Sequence, residues 1–407
     1  MQCGLLGEHL THSFSPQIHA KLGTYPYTLY EMQPEKLSDF LTSEQFTGIN
    51  VTIPYKKSVI PYCSRLTPTA SLLGAVNTII RQPDGTLLGH NTDYQGFRSM
   101  VEHSGLNVED KKVLVLGSGG ASATVVAVLK ELRAKPIVIS RTGKNNYNNL
   151  EQHSDAGVII NTTPVGMYPG NGISPVNLDL FPNLEGVLDL IYNPHRTALL
   201  MQAEQRNLVV ENGLWMLVAQ AKESAEYFTN SHISDSITQE IYTELKKQTQ
   251  NIILIGMPGC GKSTVGRVLA ERLQREFIDA DAEIEKEANM SIPEIFAHGG
   301  EQSFREIESH VLKNLGKRSG LVIATGGGCI TVPQNYPSLR QNGLIVYLKR
   351  DIALLPTEGR PLSSKQSLQA LYNTRSPLYE QFLDITVENT GSIEDTVNAI
   401  LSKGGLS

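Results

Sequence analysis

Cysteine is scarce in this chain. The four present, Cys3, Cys63, Cys260 and Cys329, show neither C-x-x-C nor Cys/His spacing, which excludes a disulfide framework or a zinc site of the usual grammar. A reducing cytoplasm is therefore the expected compartment. Aromatic residues are few, with a single tryptophan. Positive charge is short as well. A net charge of −6 without any Lys/Arg cluster leaves nothing to neutralise a run of nucleic-acid phosphates. Long apolar runs are missing too. Glu8 and His9 interrupt Met1–Leu10, so no signal peptide is read there. Val113–Leu129 is uncharged and near the shortest membrane span, about 17 residues, but Gly117-Ser-Gly-Gly120 divides it into strand, turn and helix. No internal repeat is visible. What remains is a soluble α/β chain of 407 residues, long enough for two or three domains with buried cores.

Glycine, in contrast, is placed with clear grammar. Gly256-Met-Pro-Gly-Cys-Gly-Lys262-Ser263 follows the apolar run Ile252–Ile255 and fills the G-x-x-x-x-G-K-[ST] pattern at every fixed position. Glycines at this spacing let backbone N–H groups turn inward around phosphate oxygens. Lys262 then reaches the β/γ-phosphates and the Ser263 hydroxyl ligates Mg²⁺. Thr264–Leu273 reads as the helix whose N-terminus faces the anion. The loop residues Gly259, Cys260, Gly261, Lys262, Ser263 and Thr264 form the expected ATP-binding set. Cys260 fills a variable loop position, and a redox role there is the lesser reading.

A second Gly-rich turn has different grammar. Val113–Leu116 runs into Gly117, Ser118, Gly119 and Gly120, then the helical stretch Ala121–Leu132 and the apolar run Pro136–Ile139. This is a βαβ unit with a dinucleotide-type turn. At the end of its second strand a NAD site carries Asp or Glu for the ribose 2′-hydroxyl. Ser140-Arg141-Thr142 stands there instead, which favours NADP with Arg141 beside the 2′-phosphate. Upstream, Gly48–Pro54 and Ala75–Ile80 read as strands, with Pro83-Asp-Gly85 as a turn. Gly157–Asn161 and Gly186–Ile191 read as further buried strands downstream, and Met216–Phe228 and Ser236–Lys247 as amphipathic helices that return to the first region.

Polar residues interrupt the first region at Ser13, Ser15, Thr52, Lys56, Asn77 and Asp93. Singly each has a bland reading as a cap, a turn or a solvated charge. Beside a nicotinamide site, a lysine and a carboxylate are a proton donor and its orienting partner for a carbonyl under reduction.

Together these residues resemble the shikimate dehydrogenase family. The resemblance lies in Ser13-Phe-Ser15-Pro16, Asn50-Val-Thr-Ile-Pro-Tyr-Lys56, Gly74-Ala-Val-Asn77-Thr78, Asn91-Thr-Asp93, Gly117-Ser-Gly-Gly-Ala-Ser122, Asn161-Thr-Thr-Pro-Val-Gly166 and Met216-Leu-Val-Ala-Gln220, in the family's order over residues 1–248. It implies that Ser13 and Ser15 hold the substrate carboxylate, with Thr52, Asn77, Asp93, Tyr192 and Gln220 around its ring. Lys56 and Asp93 become the catalytic pair. Gly117, Ser118, Gly119, Gly120, Ala121, Ser140, Arg141, Thr142, Leu190 and Gly213 become the NADP set. Three departures stand out. Lys144 and Asn145 replace the second arginine usual after Arg141. Gly143–Ala156 is too short for the helix and strand the family inserts. Gly213-Leu-Trp-Met-Leu217 replaces Gly-Leu-Gly-Met-Leu, placing the tryptophan near the expected nicotinamide side.

The phosphate-loop half resembles shikimate kinase over residues 251–407. The carriers are Asp279 and Asp281, at strand spacing that puts both carboxylates on one face, Phe304-Arg305 with Glu308, Gly326-Gly-Gly328, Arg360-Pro-Leu362 and Arg375-Ser-Pro-Leu-Tyr379. The resemblance makes Asp281 the carboxylate that orients and deprotonates the attacking hydroxyl, and gives Asp279 a water-mediated role at Mg²⁺. Arg305 and Arg375 clamp the substrate carboxylate bidentately, Gly327 and its neighbours lie against the ring, and Arg360 meets the phosphates from a lid. The family's adenine-side arginine has no counterpart in Ala353–Gly359, and the lid is short.

The expected architecture is α/β throughout: a substrate domain of residues 1–93 and 219–248, a Rossmann-like NADP domain of 94–218 and a P-loop domain of 251–407. The implied function is NADPH-dependent reduction of 3-dehydroshikimate followed by ATP-dependent phosphorylation of shikimate. A quinate-type dehydrogenase fused to another small-molecule kinase is the alternative. Each half carries its own set of site residues, and the partners are small molecules rather than nucleic acid or membrane.

Overall fold

The structure, a computed structural model, describes residues 1–10, 13–355 and 368–406. Its first sheet holds β1 (Cys3–Gly7), β2 (Tyr27–Glu31), β3 (Gly48–Val51), β4 (Arg65–Leu66), β5 (Thr78–Arg81) and β6 (Leu87–His90) in the order β2-β1-β3-β5-β6-β4. Strand β1 runs parallel to both neighbours, whereas β5 is antiparallel to β3 and β6. Both β1 and β3 are buried along their whole length, and Asn50 is the one polar side chain that β3 takes into the interior. The chain enters β5 later than the apolar pattern predicts. A short helix, Pro68–Leu73, is capped by the Thr67 hydroxyl and ends on Gly74 at φ 58°, so Ala75–Asn77 forms the turn out of it.

The second sheet is wholly parallel. It comprises β7 (Lys112–Leu116), β8 (Lys135–Ile139), β9 (Val158–Asn161), β10 (Gly186–Asp189) and β11 (Val209–Asn212) in the order β11-β10-β9-β7-β8. The order reverses at β7: β8 is laid down on one side of it, and β9, next in sequence, on the other. That crevice, at the carboxyl ends of β7 and β9, is where an open α/β sheet binds its ligand. The uncharged segment Val113–Leu129 is strand, turn and the helix Gly120–Glu131. No helix among the described residues is long and apolar enough to cross a membrane. Only a 3₁₀ turn, Leu150–His153, lies between β8 and β9 beyond the Asn-rich loop, in keeping with the shortened insert.

The third sheet is also parallel: β12 (Asn251–Ile255), β13 (Phe277–Asp279), β14 (Val322–Ala324), β15 (Gly343–Lys349) and β16 (Ile385–Glu388), ordered β13-β14-β12-β15-β16. The central β12 is fully buried and delivers the phosphate loop at its carboxyl end. The helix Ile292–Lys317 breaks at Gly300, where φ is 66°.

By contacts the chain divides into two compact units. One is Met1–Val165, Ser174–Tyr192 and Gln202–Glu244; the other is Gly166–Ile173, Asn193–Met201 and Leu245–Ser407. The second unit thus includes two segments that lie, by sequence, within the span read as the NADP domain. Within that unit the His195 amide donates to Asn342 Oδ1 at 2.9 Å, and its ring meets Thr249 Oγ1 at 2.7 Å. The Arg196 amide donates to the Gln341 carbonyl at 2.8 Å, and Asn171 Nδ2 to Gln341 Oε1 at 2.8 Å.

Two candidate active sites

In the first unit a cavity of about 380 Å³ collects residues from both of its sheets. Ser13, Ser15, Thr52, Lys56, Asn77, Asp93, Tyr192 and Gln220 all line it, together with Ala121, Leu190 and Gly213 from the dinucleotide side. Lys56 Nζ lies 2.5 Å from Asp93 Oδ2. Asp93 opens the helix Asp93–Ser104, where the positive end of the dipole supports a carboxylate, and its amide donates to Asn91 Oδ1. Asn77 is buried and locked by a reciprocal pair: its Nδ2 donates to Thr92 Oγ1 at 3.0 Å and its Oδ1 accepts from the Thr92 amide at 2.7 Å. Burial pushes the Tyr192 phenol above its ordinary range, so it faces the cavity protonated. A lysine held against a carboxylate, beside hydroxyls and an orienting amide, can donate a proton to an oxygen placed between them.

Sequence reasoning missed the layer beneath this site. Asn50 Nδ2 donates to Ser224 Oγ at 2.7 Å, and Ser224 also lies 3.0 Å from both Thr78 and Thr92 hydroxyls. Ser224 lies 174 residues from Asn50, so no local pattern announces the pairing. Gly96 is part of the same packing. A Cβ there would sit 2.8 Å from Gln220 Cβ and 3.0 Å from the Met216 carbonyl, so glycine is what lets the helix Leu214–Thr229 approach.

The dinucleotide turn itself lies at the end of β7. Gly117 has φ 105°, and a Cβ on it would meet Thr162 and Thr163 at 2.9 Å. Gly119 and Gly120 have open space above them at the N-terminus of Gly120–Glu131, a cradle for a pyrophosphate. Ser118 completes this turn. A Cβ on Gly213 would collide with the Leu190 carbonyl. Ser140, Arg141 and Thr142 follow β8, with the Ser140 hydroxyl bonded to the Thr142 carbonyl and Arg141 exposed.

The tryptophan is elsewhere than expected. Trp215 is not among the cavity residues; its indole stacks on His103 at 3.6 Å and donates to Ser99 Oγ at 2.9 Å. At about 100° per helical residue, Gly213, Met216, Leu217 and Gln220 share the face toward the cavity, and Trp215 falls on the opposite one.

In the second unit one cavity of about 570 Å³ brings Gly259, Gly261, Lys262, Ser263 and Thr264 together with Asp279, Asp281, Arg305, Gly327 and Arg375. Lys262 Nζ donates to the loop carbonyls of Gly256 and Met257 at 2.9 and 3.1 Å. Cys260 is fully buried and absent from the lining; its carbonyl accepts from Asn389 Nδ2 at 2.6 Å. Arg360 lies outside the described residues.

The aspartates reach the cavity by a different route from the one their spacing predicts. Strand β13 ends at Asp279, which caps the helix Ala280–Ala288 by accepting from the Asp281 amide at 3.1 Å. Asp281 therefore sits in the first helical turn rather than on the strand. Capping preference, strong for aspartate, outweighs strand alternation here. Ser263 Oγ donates to the other Asp279 oxygen at 2.7 Å. Burial, then the neighbouring Asp279, push the Asp281 carboxyl above its ordinary range, as suits a general base.

Arg305 is held from two sides, by Glu308 at 2.6 Å and Glu301 at 3.1 Å. Glu308 is completely buried, and burial raises its carboxyl against the pull of Arg305. Gly328 is glycine because a Cβ would strike the Arg305 guanidinium at 2.2 Å. Arg375 Nη1 and Tyr379 OH both donate to the Gly327 carbonyl, at 3.1 and 2.5 Å. Ile292, Pro293 and Phe296 add an apolar wall that the sequence disguises as helix core. Two guanidinium groups, a buried carboxylate and a phosphate loop in one cavity can align a hydroxyl carboxylate for phosphoryl transfer.

Comparison with known proteins agrees with both halves. Residues 5–79 match the family model of the shikimate dehydrogenase substrate binding domain, and residues 258–403 match that of shikimate kinase. The shikimate dehydrogenase (NADP(+)) of Clostridium beijerinckii is 36% identical over 260 residues, which cover 59% of this chain and 96% of that one. Among solved structures, a chorismate mutase/shikimate 5-dehydrogenase fusion protein from Clostridium acetobutylicum is 36% identical with a TM-score of 0.58, covering 60% and 97% of the two chains. Shikimate 5-dehydrogenase from Thermus thermophilus, in complex with NADP(H) and shikimate, is 29% identical with a TM-score of 0.55, covering 60% and 99%. Fold and sites thus define a dinucleotide-dependent reductase joined to a P-loop phosphotransferase. The chain belongs to the shikimate dehydrogenase family and carries, after that part, a shikimate kinase domain.

Proposed function

We propose that this protein performs two consecutive reactions, reducing 3-dehydroshikimate to shikimate with NADPH and phosphorylating the shikimate with ATP. The observation that carries the reading is the pair of cavities on one chain: a Lys–Asp pair beside a dinucleotide turn, and a phosphate loop facing two arginines. In the first, Ser13 and Ser15 bind the carboxylate while Thr52, Asn77, Tyr192 and Gln220 orient the ring. The dinucleotide, held by Gly117–Ala121, Ser140–Thr142, Leu190 and Gly213, supplies the hydride. Lys56 Nζ gives its proton to the oxygen that gains charge, and Asp93 keeps the ammonium aimed.

In the second cavity Arg305 and Arg375 clamp the shikimate carboxylate against Gly327. Asp281 takes the proton of the attacking hydroxyl, and Lys262 faces the β/γ-phosphates. Ser263 and Asp279 fit Mg²⁺, which accepts few protein oxygens and keeps water and phosphate as its other ligands; the ion neutralises phosphate charge. Four free cysteines fit a reducing cytoplasm. The test is to incubate the protein with 3-dehydroshikimate, NADPH and MgATP and follow products by mass spectrometry. Shikimate 3-phosphate is expected. Its absence, with quinate oxidised in its place, refutes the reading.

A further inference from the structure

Behind the reductase cavity, on the far side of the helices that line it, lies a group of side chains that the reaction does not use. Trp215 stacks face to face on His103, with ring centroids 3.6 Å apart and planes within 10°. Each ring is tethered at its edge. The indole donates to Ser99 Oγ at 2.9 Å, and His103 Nδ1 lies 2.8 Å from Glu211 Oε2. Tyr242 closes the group edge-on, 5.5 Å from His103 and 5.3 Å from Trp215.

Gly96, Ser99 and His103 share one face of the helix Asp93–Ser104 at i, i+3 and i+7, and all three meet the helix Leu214–Thr229. The first of these helices begins at Asp93; the second carries Met216 and Gln220 into the cavity. A slide of one helix past the other by a single residue, about 1.5 Å, would offset the stack and stretch the indole bond. It would also carry Asp93 away from Lys56, a contact of 2.5 Å. Misplacement of a reacting group by about 1 Å can cost on the order of 100-fold in rate.

We propose that Trp215 and His103 are positioning residues for the reduction, a brace that fixes the helix Asp93–Ser104 along its axis and so holds the Asp93 carboxylate in register with Lys56. The inference rests on the assignment of Lys56 and Asp93 as the catalytic pair, and the wild-type assay tests that assignment separately. In the full chain, Trp215→Gly and His103→Leu are expected to lower kcat for 3-dehydroshikimate reduction about 10-fold or more and to move KM less than about threefold, because Ser13 and Ser15 lie on other elements. Trp215→Phe, which keeps a ring on His103, should recover most of the loss. Phosphorylation of added shikimate by the same protein should stay unchanged, and an unaltered melting transition of the first unit reports that the reductase half is folded.

A double-mutant cycle separates positioning from general loosening. In a Lys56→Met background, where there is no ammonium left to align, Trp215→Gly should cause little further loss. Should Trp215→Gly fail to fold, Ser99→Ala in the same cycle carries the test, since it removes only the indole tether. Wild-type kcat in the folded brace variants overturns the proposal. So does a loss that repeats in full on the Lys56→Met background.

Discussion

Replacing Lys56 with methionine should separate catalysis from stability by a wide margin. The Lys56–Asp93 pair is short, 2.5 Å, but its side chains are 32% and 19% exposed. Partial solvation of this kind limits the contribution of an ion pair to about 1 kcal/mol or less. Asp93, left behind, keeps the helix N-terminus and stays partly wet, so no buried charge is orphaned. A loss of about 1 kcal/mol lowers the melting temperature of a unit of this size by roughly 2–4 °C. The same change removes the proton donor. General-acid catalysis is worth about 10²- to 10⁴-fold, roughly 3–5 kcal/mol of barrier, several times the stability cost. NADPH consumption with 3-dehydroshikimate, followed by absorbance, should fall by at least about 100-fold, while ATP-dependent phosphorylation of added shikimate stays at its wild-type rate. Reduction within about threefold of wild type would show that Lys56 is not the donor. A fall in the melting temperature of the first unit well beyond about 4 °C would show that the residue holds the fold instead.

Arg141→Ala should raise KM for NADPH much more than for NADH, since Arg141 follows β8 where the 2′-phosphate is expected; equal effects would remove the assignment. Arg305→Ala should weaken shikimate binding by roughly 2–5 kcal/mol with ATP affinity retained, measured calorimetrically, and the reverse pattern would sink the clamp. Acid should destabilise the first unit through His19, which is buried, 2.8 Å from Tyr25 OH and stacked on Tyr27. Burial lowers its pKa to about 3, so its stabilising neutral form is fully present above pH ~6.5. That contribution is lost progressively as pH falls toward 3, roughly 3 kcal/mol by pH 4 at 1.36 kcal/mol per unit. His19→Gln should flatten this part of the stability–pH curve, and an unchanged slope between pH 6.5 and 4 would refute the assignment. Residues 251–407 made alone lack the hydrogen bonds that Asn171, His195 and Arg196 make to Arg340–Gly343, at about 1 kcal/mol each. Their melting temperature should fall several degrees below that of the second unit in the full chain; coincident transitions would show those bonds to be idle.

What the sequence makes legible is what local geometry decides. The phosphate loop and the dinucleotide turn each join a buried strand to a helix within a few residues, so glycine spacing alone places them. The cavity of Ser13, Lys56, Asn77 and Asp93 was legible only as a set, because each residue has an ordinary role when taken singly. Asp279 and Asp281 were found but given the wrong backbone, since a cap and a strand end look alike at a spacing of two. Trp215 was misplaced because motif position says which helix a side chain is on, whereas its face depends on the tilt against Gly96. Ser224 and the grouping of Asn193–Met201 with the second unit rest on contacts more than 140 residues apart, beyond the reach of any periodicity.

The long reach of His195 bears on how the chain is made. Its partner Asn342 lies 147 residues downstream. At ribosomal speeds of about 5–20 residues per second, the segment waits roughly 7–30 s for the strand that will hold it. During that interval β10 and β11 can pair, yet the residues that leave β10 still lack the bonds to Gln341 and Asn342. The nascent reductase is therefore complete in sequence before it is complete in structure, and a ribosome stalled ahead of β15 would expose Asn193–Met201 to chaperones and proteases. Truncated messages should for that reason yield a product that is cleaved first within this stretch.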